Sequence, residues 1–154
     1  MSHYNPVTYK TYRDWELWRS HYEATAVNNN VWDYLRPDDP IPPPQRPALP
    51  SYDAFQASNA IIQAGATPTQ LSDLSATGQR SYESAMERWE IQRDDRAEYH
   101  KGINTVLTWQ TNTIHKSRKM LLRNATPQEV YEAVQRDAAP YLCGHAPRGH
   151  LRRV

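Results

Sequence analysis

Residues 76–116 read ATGQRSYESAMERWEIQRDDRAEYHKGINTVLTWQTNTIHK, and this stretch decides the fold. It lies inside a longer proline-free run from Thr69 to Thr126. Leu71, Leu74, Tyr82, Met86, Trp89, Ile103, Val106, Leu107, Gln110 and Ile114 keep a broadly helical rhythm through it. Tyr82, Met86 and Trp89 stand four and three apart, and Ile103 follows Trp89 after two heptads. Ser75 or Thr77 can cap the start with a side-chain oxygen. The spacing predicts one long helix, or two in line, over about 76–116. Gly102 costs such a helix about 1 kcal/mol and is a point where it can bend, so straight and folded forms both stay open. A helix this polar needs partners along its apolar stripe.

Outward toward the N-terminus, Trp15, Trp18, Tyr22 and Ala26 recur at three, four and four, which is one helix face. Asn28, Asn29 and Asn30 interrupt it, because asparagine favours turns and left-handed backbone. A short apolar piece, Val31 to Leu35, comes next and reads as a short helix or an extended segment. Seven of the 12 prolines then fall between Pro37 and Pro50. Each fixes φ and removes a donor, so this crossover is extended and polyproline-like. Residues 51–64 can form a weak helix through Tyr52, Phe55, Ile61 and Ile62. Outward toward the C-terminus, Thr126-Pro127-Gln128-Glu129 carries an N-cap, a first-turn proline and a capping box. Val130, Ala133, Val134 and Ala138 give the following helix its apolar face, and Pro140 is expected to end it. Residues 141–154 read as a disordered basic tail.

The sum is an all-α protein of four to five helices, with one long helix at about 76–116. A single helical domain is expected over 1–140, crossed by the proline-rich spacer at 37–50. Composition narrows the function classes. The 154 residues are 38% hydrophobic, with a mean hydropathy of −0.88. No apolar run reaches the ~18 residues that a membrane span needs. One cysteine cannot form an internal disulfide, and it suits a reducing, cytoplasmic setting. The N-terminus shows no apolar signal segment. Five tryptophans and ten tyrosines argue against disorder.

Charge is uneven. Residues 1–100 hold 9 Lys and Arg against 14 Asp and Glu, whereas residues 101–154 hold 9 against 3. Opposite ends of opposite sign suit polyanion binding or head-to-tail self-association. Lys116, Arg118, Lys119 and Arg123 form one basic cluster, and Arg148, Arg152 and Arg153 a second. Phosphate contacts from either would be salt-sensitive and blind to sequence. No aromatic residues interleave with them to make a stacking platform.

Nothing points to catalysis. Five scattered glycines form no phosphate-binding loop, and no nucleophile elbow or His-Glu-x-x-His is present. His21, His100 and His115 lie on expected helices without matched carboxylates. Cys143, His145 and His150 are three ligand types near one another, but a structural zinc site wants four. No metal, cofactor or small-molecule substrate is therefore expected. Trp15, Trp18, Trp32, Tyr34, Trp89 and Trp109 are candidates for either core packing or a self-association surface.

The order of these pieces resembles the N-terminal, capsid-like part of Gag polyproteins from fungal copia-type retrotransposons. The matching pieces are the tryptophan-bearing helix at Trp15 and Trp18 and the Val-Trp-Asp-Tyr-Leu unit with its following Pro-Asp, Val31 to Asp38. Next come the spacer from Pro40 to Pro50 and the Leu-Ser-x-Leu-Ser opening of the long helix at Leu71 to Ser75. The last two are Ile114 to Ser117 and the Thr-Pro-x-Glu helix from Thr126 to Pro140. The resemblance implies a structural, non-enzymatic protein that assembles with copies of itself into particles and packages RNA without sequence preference. The alternative is a monomeric helical adaptor that docks a groove-bearing partner through its proline-rich segment.

Overall fold

The computed structural model describes residues 7–123 and 126–143. The architecture is all-α. The expectation of one domain over 1–140 meets a division into two units. The first draws on residues 1–43 and 99–154, and the second is 44–98. The core residues of the first unit come from the two ends of the chain, and the boundary falls inside the proline-rich crossover, whose first part, to Pro43, stays with that unit while Pro44 onward goes with the second.

In the first unit, a short 3-10 turn (Tyr12–Asp14) leads into α1, Trp15–Asn28. The Asp14 carboxylate accepts from the Lys10 and Thr11 amides at 2.9 and 3.0 Å, tying the chain entry to the helix start. The buried residues of α1 are Trp15, Trp18, Tyr22 and Ala26, the face the sequence spacing marks. α1 ends at Asn28, and Asn30 takes the left-handed backbone (φ 58°) that lets the chain turn. α2, Trp32–Leu35, is one short turn of helix.

The second half of the long helix packs on this pair. α3 is the short helix Asn59–Ala64, and α4 runs from Ala76 to Thr113. Of the two alternatives, one helix or two in line, α4 is one helix through Gly102, and the glycine sits at a close approach. A Cβ there would lie 2.6 Å from Val31 Cγ1 and 2.8 Å from the Asn29 carbonyl oxygen. Glycine is needed because the α1–α2 turn presses on α4 at that point. After α4, a 3-10 segment (Lys116–Arg123) breaks at Arg118. α5 then runs Pro127–Cys143, started by Thr126, whose hydroxyl accepts from the Glu129 amide at 3.2 Å. Pro140 does not end α5. It sits inside the last turn, where it removes one backbone bond, and Tyr141 beyond it stacks on Tyr12 at 4.6 Å. The expected tail boundary at 141 therefore moves: residues 141–143 belong to α5, and the rest of that tail lies outside the described residues.

The core of the first unit is aromatic. Trp18 is fully buried among Tyr9, Trp15, Tyr22, Trp109 and Tyr131, with ring centroids 5.3 to 6.5 Å away. Its indole N–H donates to Thr113 Oγ1 at 2.9 Å. Val106 of α4, Ile114 just beyond it, and Val130, Val134 and Ala138 of α5 close the cluster.

The second unit is thinner. Tyr52 stacks on Tyr82 at 4.6 Å, and Phe55 meets the same ring edge-on at 5.5 Å. Residues 51–64, expected as one weak helix, divide into a 3-10 turn (Tyr52–Ala54) and α3, capped by Ser58 and closed by left-handed Gly65. Ser75 caps α4 by accepting from the Gly78 amide at 3.0 Å. A Cβ at Gly78 would collide with the Gln56 carbonyl oxygen, so the loop 56–58 lies directly on the helix start. Leu74 is the fully buried apolar side chain among the described residues of this unit.

Candidate nucleic-acid interface

The first basic cluster falls on the 3-10 segment between α4 and α5. Its four cations have unequal surroundings. Lys116 and Arg123 are exposed, with Lys116 at the segment start and Arg123 at its end. Lys119 donates to the Thr111 carbonyl at 2.7 Å, across the end of α4. Arg118 reaches two ways. Its Nε donates to the Lys10 carbonyl at 3.1 Å, and its Nη1 lies 3.5 Å from Asp137 Oδ1 on α5. Three of the four predicted contact residues are thus exposed, Lys119 while bonded to a carbonyl, and Arg118 alone is half-buried. The second cluster, Arg148, Arg152 and Arg153, lies outside the described residues, as do His145 and His150.

Arg118 belongs to a small network that sequence periodicity could not reveal. Tyr9 is fully buried and pairs in parallel with Ile114. Its amide donates to the Thr113 carbonyl at 2.6 Å, and its carbonyl accepts from the His115 amide at 2.8 Å. Its hydroxyl donates to Asp137 Oδ2 at 2.6 Å. Burial, and next the hydrogen bond to Asp137, push the Tyr9 phenol above its ordinary value of 10.0. Tyr22 is pushed up as well, by burial first and then by Tyr131. Tyr9 and Lys10 sit on an extended segment with no helical period. Tyr131 did carry a signal, being three and seven residues before Val134 and Ala138.

The aromatic candidates divide by unit. Trp15 and Trp18 are buried core, and Trp32, Tyr34 and Trp109 pack against that core. Tyr34 meets Tyr99 edge-on at 4.8 Å, and its carbonyl accepts from Gln128 Nε2 at 2.7 Å. Trp89 lies in the second unit, half-buried, with the Arg93 guanidinium 4.9 Å from its ring centre.

The proline-rich segment shows a period of three. Pro44, Pro47 and Pro50 are half-buried, whereas Gln45, Arg46, Ala48 and Leu49 are exposed. Three residues per turn is the polyproline repeat, so one edge of this strand is covered within the second unit. Pro44 and Pro47 line a hollow there with Gln92 and Asp95 of α4. In the first unit, a cavity of about 280 Å³ lies between Pro40–Pro43, Tyr34, Tyr99, Ile103, Leu107 and Pro127. Its walls are apolar and aromatic, suited to holding an apolar group and lacking any paired acid and base.

Among the described residues, no three His, Cys, Asp or Glu side chains gather around a point where a metal could sit. No helix among them is long and apolar enough to cross a membrane. Comparison of the chain with protein-family models, curated proteins and solved structures found no match.

Proposed function

We propose that this chain is a structural protein of the retrotransposon Gag type, which associates with copies of itself and packages RNA without reading its sequence. The observation that carries the reading is one of order. The tryptophan helix, the Val-Trp-Asp-Tyr-Leu turn, the long helix and the Thr-Pro-x-Glu helix each correspond to a separate element, and the proline-rich segment is the irregular stretch between the second and the third, in the succession the resemblance gives.

Charge supports the same reading. Glu83, Glu87, Glu90, Asp94 and Glu98 follow spacings of four, three, four and four on α4, and all are exposed. That places five carboxylates along one side of a helix. The 3-10 segment Lys116–Arg123 carries four cations and no carboxylate. Copies of one chain that display both signs can attract one another, and the basic surface can take phosphates. The buried tryptophans Trp15 and Trp18 of α1 are not available for this contact. The adaptor alternative is less favoured, because the proline edge of the spacer is already partly covered within its own unit.

The test is light scattering and electron microscopy of the purified chain with and without single-stranded RNA. Particles or higher oligomers that form with RNA at low salt are expected. A strict monomer at high concentration across salt conditions would remove the proposal.

A further inference from the structure

We propose that the segment Val7–Thr11 is a latch that withholds Arg118 from the polyanion surface. This deepens the RNA-packaging reading and rests on it. Two polar contacts of this segment, from Tyr9 and Lys10, meet one carboxylate and one guanidinium that face each other. Asp137 takes the Tyr9 phenol on one oxygen and faces Arg118 with the other. Arg118 in turn holds the Lys10 carbonyl, next to Tyr9. The chain on the far side is held by the Thr113 carbonyl and the His115 amide. Among the described residues, Arg118 is the one cation of its segment with a carboxylate partner.

The side chains of Arg118 and Asp137 are 34% and 24% exposed. Breaking its contacts to Asp137 and Lys10 frees the partly exposed guanidinium, whereas withdrawal of the whole segment also takes the buried Tyr9 ring out of the core. Latched, the segment offers Lys116 and Arg123 as exposed cations that have no carboxylate partner among the described residues. Unlatched, it offers a third charge beside them. Anything that draws the N-terminal segment away thus strengthens RNA contact, and by linkage a polyanion that captures Arg118 loosens the segment.

The experiment measures the affinity of the full chain for a single-stranded uridine oligomer as a function of salt. Each phosphate contact contributes about 0.7 to the slope of log affinity against log salt. K116Q should lower the slope by about that amount, whereas R118Q should leave it unchanged. D137N should raise it by about the same amount, and D137N/R118Q should return it to the wild-type value. Amide exchange at Tyr9 and His115 should quicken in D137N. An R118Q loss equal to that of K116Q overturns the latch and leaves the RNA reading intact. So does a D137N gain that survives in the double variant, since only the lost negative charge would then be acting. If D137N does not fold, the comparison of R118Q with K116Q decides alone. Absence of binding in every folded variant overturns the function and the latch together.

Discussion

Two fully buried tyrosines separate what a hydroxyl does from what a ring does. Tyr9 donates to Asp137, while the Tyr22 hydroxyl finds no protein partner in the core. Tyr9→Phe should cost about 1.5–3 kcal/mol, the range for hydrogen bonds to charged groups. Tyr22→Phe keeps the stacking on Tyr131 at 4.8 Å and should stay within about 0.5 kcal/mol of wild type. Urea unfolding of the two variants compares them directly. Both phenols are held neutral above 10.0 in the folded chain. Their contribution is fully present below the unfolded value, and it shrinks as pH rises past that value. Stability should therefore fall above pH 10 by about 1.4 kcal/mol per pH unit for each group. Denaturation midpoints flat across this range would contradict the burial of these phenols.

Gly102 has a role that its own sequence neighbours do not show. Its cost to an isolated helix is legible from the sequence. The contact that requires it, the Asn29 carbonyl and Val31, comes from a turn seventy residues away in the chain. Gly102→Ala gains about 1 kcal/mol of helix propensity. It should nonetheless destabilise by about 1–3 kcal/mol through overpacking, read from the thermal midpoint.

At the scale of the element, α1 was legible because its four buried residues keep one unbroken helical period. The start of α5 was legible because Thr126 and Pro127 each satisfy a distinct requirement of a helix N-terminus. Thr126→Ala should cost about 1 kcal/mol, measured by chemical denaturation. The end of α5 was misread because a proline near a helix C-terminus loses a single backbone bond, and contacts such as Tyr12 on Tyr141 lie on the far side of it. The basic segment was visible as charge, but not the inequality within it. Which cation stands free and which is engaged depends on Lys10 and Asp137, and neither is near in sequence.

At the scale of the whole molecule, the buried apolar cluster belongs to the first unit, and the second keeps Leu74. Sequence placed the apolar residues on helix faces but could not say that α4 would serve one unit with its first part and the other with its second. Local stability should follow this division. Native-state hydrogen exchange should find the slowest amides at residues 103–113 and 130–138, and markedly faster exchange at 52–75. Uniform protection across both would mean that the chain unfolds as one body.

The central claim is that this is an assembling, RNA-carrying protein and not a lone helical module. Sedimentation velocity followed at 260 and 280 nm, with uridine oligomer at low and high salt, tests it most directly. The account predicts a fast-sedimenting species that carries RNA at low salt and disperses as salt rises. A single 17.9 kDa species with no bound RNA at any salt would contradict it.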